Sequence, residues 1–303
     1  MSIDKTCSLK EAVSTYISDG DTVAMGGFLA RVPMGAVFEV IRQRKKELTL
    51  IVDSGVEPID FLIGAGLVKK VESAWVWIAV ANAFNFRRAV EKGVPRRIEV
   101  EDYSNLAIGM RYLAGALGVP FMPLKSFLGT DIPVHNKKIK ITPDPYSGEP
   151  VALVPAANPD VALIHVQRAD KMGNAQIWGI LGNEMNIARA ARKVVLTCEE
   201  IVATSELRKI PNMTHIPYYC VSAVVELPFG SYPAGTPCYY WADTPCRRRW
   251  AMASKTREGF TELLDDILCD NHNDFLRKIG NERLAKLRKM EHDNNRIPIL
   301  FER

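Results

Sequence analysis

The sequence predicts an α/β protein: a mostly parallel sheet covered by helices on both faces, with a helical C-terminal tail. Three observations lead there. Apolar runs of strand length recur along the chain, several of them are apolar at nearly every position, and segments with helical spacing alternate with them. Strands that are apolar on both sides belong to sheets buried on both faces, and the connecting helices supply the covering layers. The 303 residues are 47% hydrophobic and 24% charged, which suits a globular chain and excludes general disorder.

The first element is a helix over 8–20. Ser8 and Glu11 have capping-box spacing, and Leu9, Ala12, Val13, Tyr16 and Ile17 form one apolar stripe, with Gly20 at the expected stop. Thr22–Met25 reads as a strand that runs into Gly26-Gly27-Phe28. Pro33 then precedes a helix carrying Val37, Val40 and Ile41; a proline is tolerated there because its missing N–H would have no helical partner. Leu48–Val52 reads as a strand, Ile59–Ile63 as a short helix, Ser73–Ala81 and Ile98–Glu101 as strands, and Ser104–Leu117 as a helix. Residues 125–150 break the alternation with four prolines and the run Lys137-Lys138-Ile139-Lys140, and are read as a functional loop or interface. Strands resume at Val151–Val154, Val161–His165, Ala175–Ile177 and Val194–Thr197, with a helix over 184–191. The expected division is a domain over 1–250, including the irregular stretch, and a helical extension over 251–303.

Composition removes several function classes. Lys+Arg 39 against Asp+Glu 35 gives +4, too balanced for a dedicated nucleic-acid binder. No run reaches the ~18 apolar residues of a membrane span, and residues 1–12 lack the basic start and apolar run of a secretory signal, so a soluble, cytoplasmic protein is expected. The six cysteines include no C-x-x-C pair and are read as free thiols. The five histidines have no metal-ligand spacing, so no metal is expected.

Among local motifs, Gly26-Gly27 at a strand end stands out. Glycines there let the backbone approach a ligand, and their N–H groups can hold an oxyanion or a carboxylate; a tight turn needing glycine for its angles alone is the competing reading. Arg31 is placed to pair with a substrate carboxylate or to be a solvated arginine. Glu99 and Glu101 share a strand face, as substrate-facing or surface carboxylates, while Asp102 or Ser104 caps the next helix. His165 and Gln167 share a face before a turn over Asp170–Asn174, and core polar groups are the better reading for them. Arg247-Arg248-Arg249 reads as a solvated or partner-facing run, and Trp75, Trp77 and Trp178 as core residues. Gly64-Ala65-Gly66 is a helix stop and not a dinucleotide fingerprint.

Several blocks together resemble the family I CoA-transferases, specifically their α (A) subunits. DGDTVAMGGF (19–28), HVQRADKMGNAQIWG (165–179), TCEEIV (197–202) and IPYYCVSAVVELPFG (216–230) are similar to successive family blocks. PMGAVFEVIRQ (33–43), VEDYSN (100–105), LGVPFMP (117–123) and SKTREGF (254–260) are most similar to the glutaconate CoA-transferase branch. The spacing from Phe28 to Pro33 is one residue shorter than the family's usual loop.

The resemblance implies a ping-pong reaction in which a β-chain glutamate attacks an acyl-CoA thioester and becomes acylated. It implies that Gly26, Gly27 and Phe28 line the acyl pocket, that Arg31 holds a distal carboxylate of a dicarboxylic acid, and that Glu101 approaches the same pocket as a catalytic candidate. The turn after Leu48–Val52 reads Asp53-Ser54-Gly55 and has no glutamate where the β chain has its nucleophile. Glu57 is close, but it precedes Pro58 and the next helix and is not taken as the nucleophile. The implied protein binds no permanent cofactor, uses a coenzyme A thioester as substrate, and forms an α2β2 or (αβ)4 assembly with a β subunit. Two other readings of the architecture are one half of a CoA-thioester ring-cleaving hydrolase and a non-catalytic sensor of small acids or sugar phosphates.

Overall fold

The structure, a computed structural model, describes residues 3–54, 57–77 and 82–294. Helix α1 (Leu9–Tyr16) starts with the full capping box, Ser8 and Glu11 each bonding the other's backbone N–H. It ends earlier than expected, at Ile17, and Gly20, at φ +88°, makes the turn into β1 (Thr22–Met25) instead. Then come α2 (Met34–Arg42), β2 (Leu48–Val52), α3 (Glu57–Gly64), β3 (Val68–Ser73), α4 (Phe84–Lys92), β4 (Glu99–Asp102) and α5 (Asn105–Leu117). The Ser104 side chain caps α5 by accepting from Ala107 N at 3.1 Å.

One strand is misplaced by the sequence reading. The third strand is Val68–Ser73, half polar along its length, whereas apolar content alone favours the run 73–81. Of that run, 74–77 lie beyond the strand and 78–81 fall outside the described residues. Trp77 is accordingly exposed and Trp75 half-buried; of the three tryptophans, Trp178 is the one inside the core.

The proline-rich stretch also holds regular structure. Strand β5 (Phe121–Leu124), α6 (Ile132–His135), β6 (Lys140–Pro143) and β7 (Pro150–Pro155) build a separate three-stranded antiparallel sheet, ordered β5-β7-β6. The basic run therefore leads into a strand, with Ile139 buried just before it. The main sheet resumes with β8 (Val161–Ala169), β9 (Ala175–Gln176), α7 (Glu184–Ala190), β10 (Lys193–Ile201), α8 (Thr204–Leu207), β11 (Thr214–Ile216) and β12 (Ala223–Glu226). The chain closes with α9 (Thr244–Ala253), α10 (Arg257–Ile267), α11 (His272–Ile279) and α12 (Asn281–Asn294).

The order β12-β10-β8-β1-β2-β3-β4 is parallel throughout, and β9 and β11 extend it antiparallel beyond the far end of β8. From β1 the chain fills one side of the sheet through β2, β3 and β4, and the other side through β8, β10 and β12. The boundary between β1 and β8 is thus a topological switch point, where ligands of open α/β sheets bind beyond the strand C-termini.

Successive strand residues serve opposite cores, as the two-residue period requires. Val23, Met25, Leu50 and Val52 face the layer that contains α1 to α4 and the C-terminal helices. Ala24, Ile51, Ala162 and Ile164 face the layer that contains α5, α7 and the small sheet. Phe260, Phe275 and Leu287 of the C-terminal helices enter the first layer, where Phe38, Phe61, Trp250 and Phe275 make edge and tilted ring contacts. All six cysteines are free thiols. Among the described residues no helix is long and apolar enough to cross a membrane.

Candidate active site

The strand β1 ends at the switch point, and Gly26-Gly27-Phe28 follow directly. The two glycines are needed for different reasons. A Cβ on Gly26 would lie 2.9 Å from Glu184 Cγ and 3.2 Å from Ile164 Cγ2, so the position is empty to let the Glu184 side chain pass. Gly27 has φ +91°, and a Cβ there would meet Arg31 O at 2.6 Å. Two nearby residues without that freedom, Leu29 (φ 61°) and Arg31 (φ 55°), also adopt left-handed backbone, a concentration of strain that marks functional loops.

Arg31 has a different task from the expected one. It is 1% exposed, and both terminal nitrogens of its guanidinium are bonded inside the chain. Nη1 donates to Trp178 O at 3.0 Å, while Nη2 donates to Ile180 O and to Glu184 Oε1, the latter at 2.8 Å. The second Glu184 oxygen accepts from Gly182 N at 2.7 Å. Arg31 therefore anchors the 178–184 segment and is not free to hold a distal carboxylate of a substrate.

Gln167 anchors the same segment, donating to Trp178 O at 3.0 Å and accepting from Trp178 N at 3.2 Å. At the end of β2, Asp53 Oδ2 accepts from Asn183 Nδ2 at 2.9 Å, and Oδ1 accepts from Ser54 N at 2.7 Å. Burial raises the Asp53 carboxyl above its usual value, with the Asn183 and Ser54 hydrogen bonds pulling the other way. Gly26, Gly27 and Phe28 after β1, Asp53 and Ser54 after β2, and the loop 178–183 thus meet beyond the strand C-termini at the switch point.

Glu101 stands elsewhere. It lies on β4, three strands from β1 and so roughly 14 Å away at the usual strand spacing. Its carboxylate is held by Lys70 and, at 2.9 Å, by Lys138. Lys70 also meets Glu99 at 3.2 Å, so the two glutamates do share a face, as ion-pair partners. Glu72 completes the network through Arg111 at 2.7 Å and Lys138 at 2.9 Å. Burial alone would raise the Glu72 carboxyl, but those two cations outweigh it and bring it down to about 2.

Glu57 is equally committed. It is buried and pairs with Arg247 Nε, and with Nη2 at 3.0 Å. That takes Arg247 out of the solvated run expected from sequence, while Arg248 and Arg249 are exposed. His165 is core structure: Nε2 lies 2.7 Å from Glu199 Oε1 and Nδ1 2.8 Å from Thr197 Oγ1, all buried. Asp170 organises the turn after it, accepting from the backbone N–H groups of Met172, Gly173 and Asn174.

Nothing in the sequence singles out Asp53, Asn183 or Glu184 as site residues. Glu184 can be placed at a helix start, but no local signal indicates an ion pair with a residue 153 positions away. Among the described residues no group of His, Cys, Asp and Glu could hold a metal ion.

This geometry defines a class: an α/β protein that gathers Gly26, Gly27, Phe28, Asp53 and the loop 178–183 at a switch point and ties Glu57, Glu72, Glu101 and Glu184 to cations of its own. Residues 6–227 match the model of the coenzyme A transferase family, and the chain belongs to that family. It is 39% identical over 262 residues to the A subunit of 3-oxoadipate CoA-transferase from Pseudomonas knackmussii, covering 86% of this chain and 92% of that one. It is 34% identical over 311 residues to the A subunit of glutaconate CoA-transferase from Acidaminococcus fermentans, covering 94% and 95%. The crystal structure of glutaconate coenzyme A-transferase from that organism superposes with a TM-score of 0.88 over 93% of this chain and 95% of its own. An uncharacterized protein of Archaeoglobus fulgidus is 43% identical over 295 residues; the match covers 95% of this chain, which spans 65% of that protein's length.

Proposed function

We propose that this chain is one half of a two-chain CoA-transferase, moving CoA between an acyl-CoA and a small carboxylic or dicarboxylic acid. A β chain supplies the nucleophilic glutamate. The observation that carries this reading is the commitment of four of the chain's own glutamates: Glu184 to Arg31, Glu57 to Arg247, Glu72 to Arg111, and Glu101 to Lys70 and Lys138. A paired, buried carboxylate is a poor nucleophile, because its charge is already stabilised and leaving the pair unbalances a buried cation.

In the proposed reaction the partner's glutamate attacks the thioester carbonyl, and the C–S bond breaks to release CoA thiolate and leave an acyl-glutamyl anhydride. The thiolate then attacks the glutamyl carbonyl, expelling the first acid as its carboxylate and leaving a glutamyl-CoA thioester. The second acid repeats these steps in reverse. This chain's contribution is the crevice. Gly26 N–H is already donated to Leu163 O at 2.9 Å, which leaves the Gly27 N–H to face an acyl oxygen. Phe28 covers one side of the acyl chain. Assembly as α2β2 or (αβ)4 is part of the proposal and is read from sedimentation of the co-purified chains.

The test is to co-purify the chain with its native partner, add an acyl-CoA, reduce with borohydride and map modified peptides by mass spectrometry. A reduced glutamate on the partner is expected, with none on this chain. Modification at Glu57 or Glu101 would put the nucleophile here and overturn the reading. Turnover of a cyclic CoA thioester with no adduct on either chain would replace it with hydrolytic ring cleavage.

A further inference from the structure

A cleft of about 1230 Å³ opens at the other end of the main sheet, where β2 and β3 begin. Its walls are the turn 43–46 after α2, the turn 65–67 after α3, and α10. The five residues of β2 separate it from Asp53 and the switch point by roughly 17 Å, at the usual rise per residue. Ile41, Leu67, Leu264 and Leu268 give it an apolar lining.

Three consecutive cations, Arg44, Lys45 and Lys46, line the same cleft. None of their side chains makes a hydrogen bond or an ion pair with a described residue. The cations around them are committed: Arg42 to Glu39 at 2.9 Å and to Cys269 O at 2.6 Å, Arg257 to Gly64 O, and Arg96 to Glu47. Even Arg42 keeps one buried donor, Nη2, without a partner. The turn itself is strained and fixed. Arg44 (φ 52°) and Glu47 (φ 59°) adopt left-handed backbone without being glycine. Lys46 N donates to Asp19 Oδ1 at 2.9 Å, and Lys46 O accepts from Gly20 N at 2.9 Å. A fixed turn that holds three like charges side by side is stabilised by a multivalent anion.

The rest of the lining narrows the class of anion. Asp265 and Asp270, on the α10 side, are exposed and also unpaired. They would repel a bare polyanion but can accept from hydroxyl or amino groups. Apolar walls with a few charged groups are the usual anatomy of a small-molecule site. A ligand with phosphates at one end, and a flat apolar body with hydrogen-bond donors at the other, satisfies all three features.

We propose that this cleft binds a nucleoside di- or triphosphate group. Arg44, Lys45 and Lys46 hold the phosphates, Leu264 and Leu268 cover the base, and Asp265 and Asp270 accept from the sugar and base donors. The site is separate from the crevice at the switch point and stands whichever acid the crevice takes. Its occupant is either a free nucleotide or the nucleotide end of a CoA molecule.

The experiment uses the chain co-purified with its native partner. Isothermal titration calorimetry reads binding of ATP, inorganic tripolyphosphate and CoA. The wild type is compared with Arg44→Gln/Lys45→Gln/Lys46→Gln, with Leu268→Asn, and with Lys289→Gln, a control at an exposed cation on α12. Far-UV circular dichroism checks that each variant keeps the fold. ATP is expected to bind the wild type and to bind the triple variant about tenfold or more weakly, as lost charge-assisted contacts to phosphate require. Leu268→Asn should weaken ATP about threefold or more and spare tripolyphosphate, because it removes apolar contact only. Lys289→Gln should change neither. With ATP binding lost in the triple variant, CoA identifies the source: one CoA equivalent fewer in that variant gives the nucleotide end of CoA, and an unchanged count gives a free nucleotide. No ATP binding at millimolar concentration, or equal ATP binding in the wild type and the triple variant, would overturn the site. The ATP measurement needs no CoA transfer, so this inference and the transferase reading fail separately.

Discussion

Replacing Arg31 by methionine tests whether the loop over the crevice is held by an ion pair or merely packed. Methionine keeps much of the side-chain volume and removes the charge and all donors. Glu184 is 0% exposed and would be left as an uncompensated buried carboxylate, which costs about 3–5 kcal/mol. The carbonyls of Trp178 and Ile180 each lose a donor as well, but Trp178 O keeps its hydrogen bond from Gln167 Nε2, so the stranded Glu184 dominates the loss. Native domains are stable by about 5–15 kcal/mol, so the variant should lose a large share of its margin. Urea unfolding followed by circular dichroism reads this as a lower midpoint at unchanged slope. The partner change Glu184→Met and the double variant complete a cycle. The double variant should cost about 2–3 kcal/mol less than the sum of the singles, because neither charge is then stranded. Arg31→Lys keeps the charge but not the forked donors, so it should fall between wild type and Arg31→Met. A loss below about 1 kcal/mol for Arg31→Met, or a strictly additive cycle, would refute the clamp.

Substitutions in the core give further tests. Gly64→Ala should destabilise by about 1–3 kcal/mol, seen in the urea midpoint. Its Cβ would lie 2.4 Å from Phe260 Cε1 and 2.6 Å from Asn85 Cγ, which outweighs alanine's helix advantage of about 0.5–1 kcal/mol. Tyr112→Phe removes the buried hydroxyl that donates to Ile51 O and should cost about 1–2 kcal/mol in the same assay. Two buried carboxyls should give opposite pH dependences. Burial raises Asp60 to about 6, against hydrogen bonds from Phe86 N and Asn85, so the stability it contributes is complete below its ordinary value of 3.8 and is lost as pH rises through 6. Glu72 is lowered to about 2, so its contribution is complete above its ordinary value of 4.5 and is lost as pH falls toward 2. Urea midpoints between about pH 4 and pH 7 should flatten in Asp60→Asn, and the loss below about pH 4.5 should shrink in Glu72→Gln.

Local features are the ones legible from the residues alone. The capping box of α1, the strands Thr22–Met25 and Leu48–Val52, the cap at Ser104 and the alternation of apolar strands with helices all rest on interactions within a few residues, or on a period that burial imposes. The position of Gly26-Gly27 at a strand end is legible for the same reason. Tertiary structure decides what those residues do. Strand β3 is half polar because Lys70 and Glu72 find partners on β4, α5 and the turn before β6, and no periodicity in 68–73 announces them. The proline-rich stretch is a small sheet because its strands pair with each other at separations that local propensity does not encode. Arg31 reads as a solvated arginine or a substrate ligand, because an arginine beside a glycine turn can be either. Only the fold brings Glu184 to it, 153 residues later in the chain, and makes it a buried clamp. An ion pair is set by which strand ends meet at the switch point, and that is a property of chain topology, which no local stretch of sequence contains.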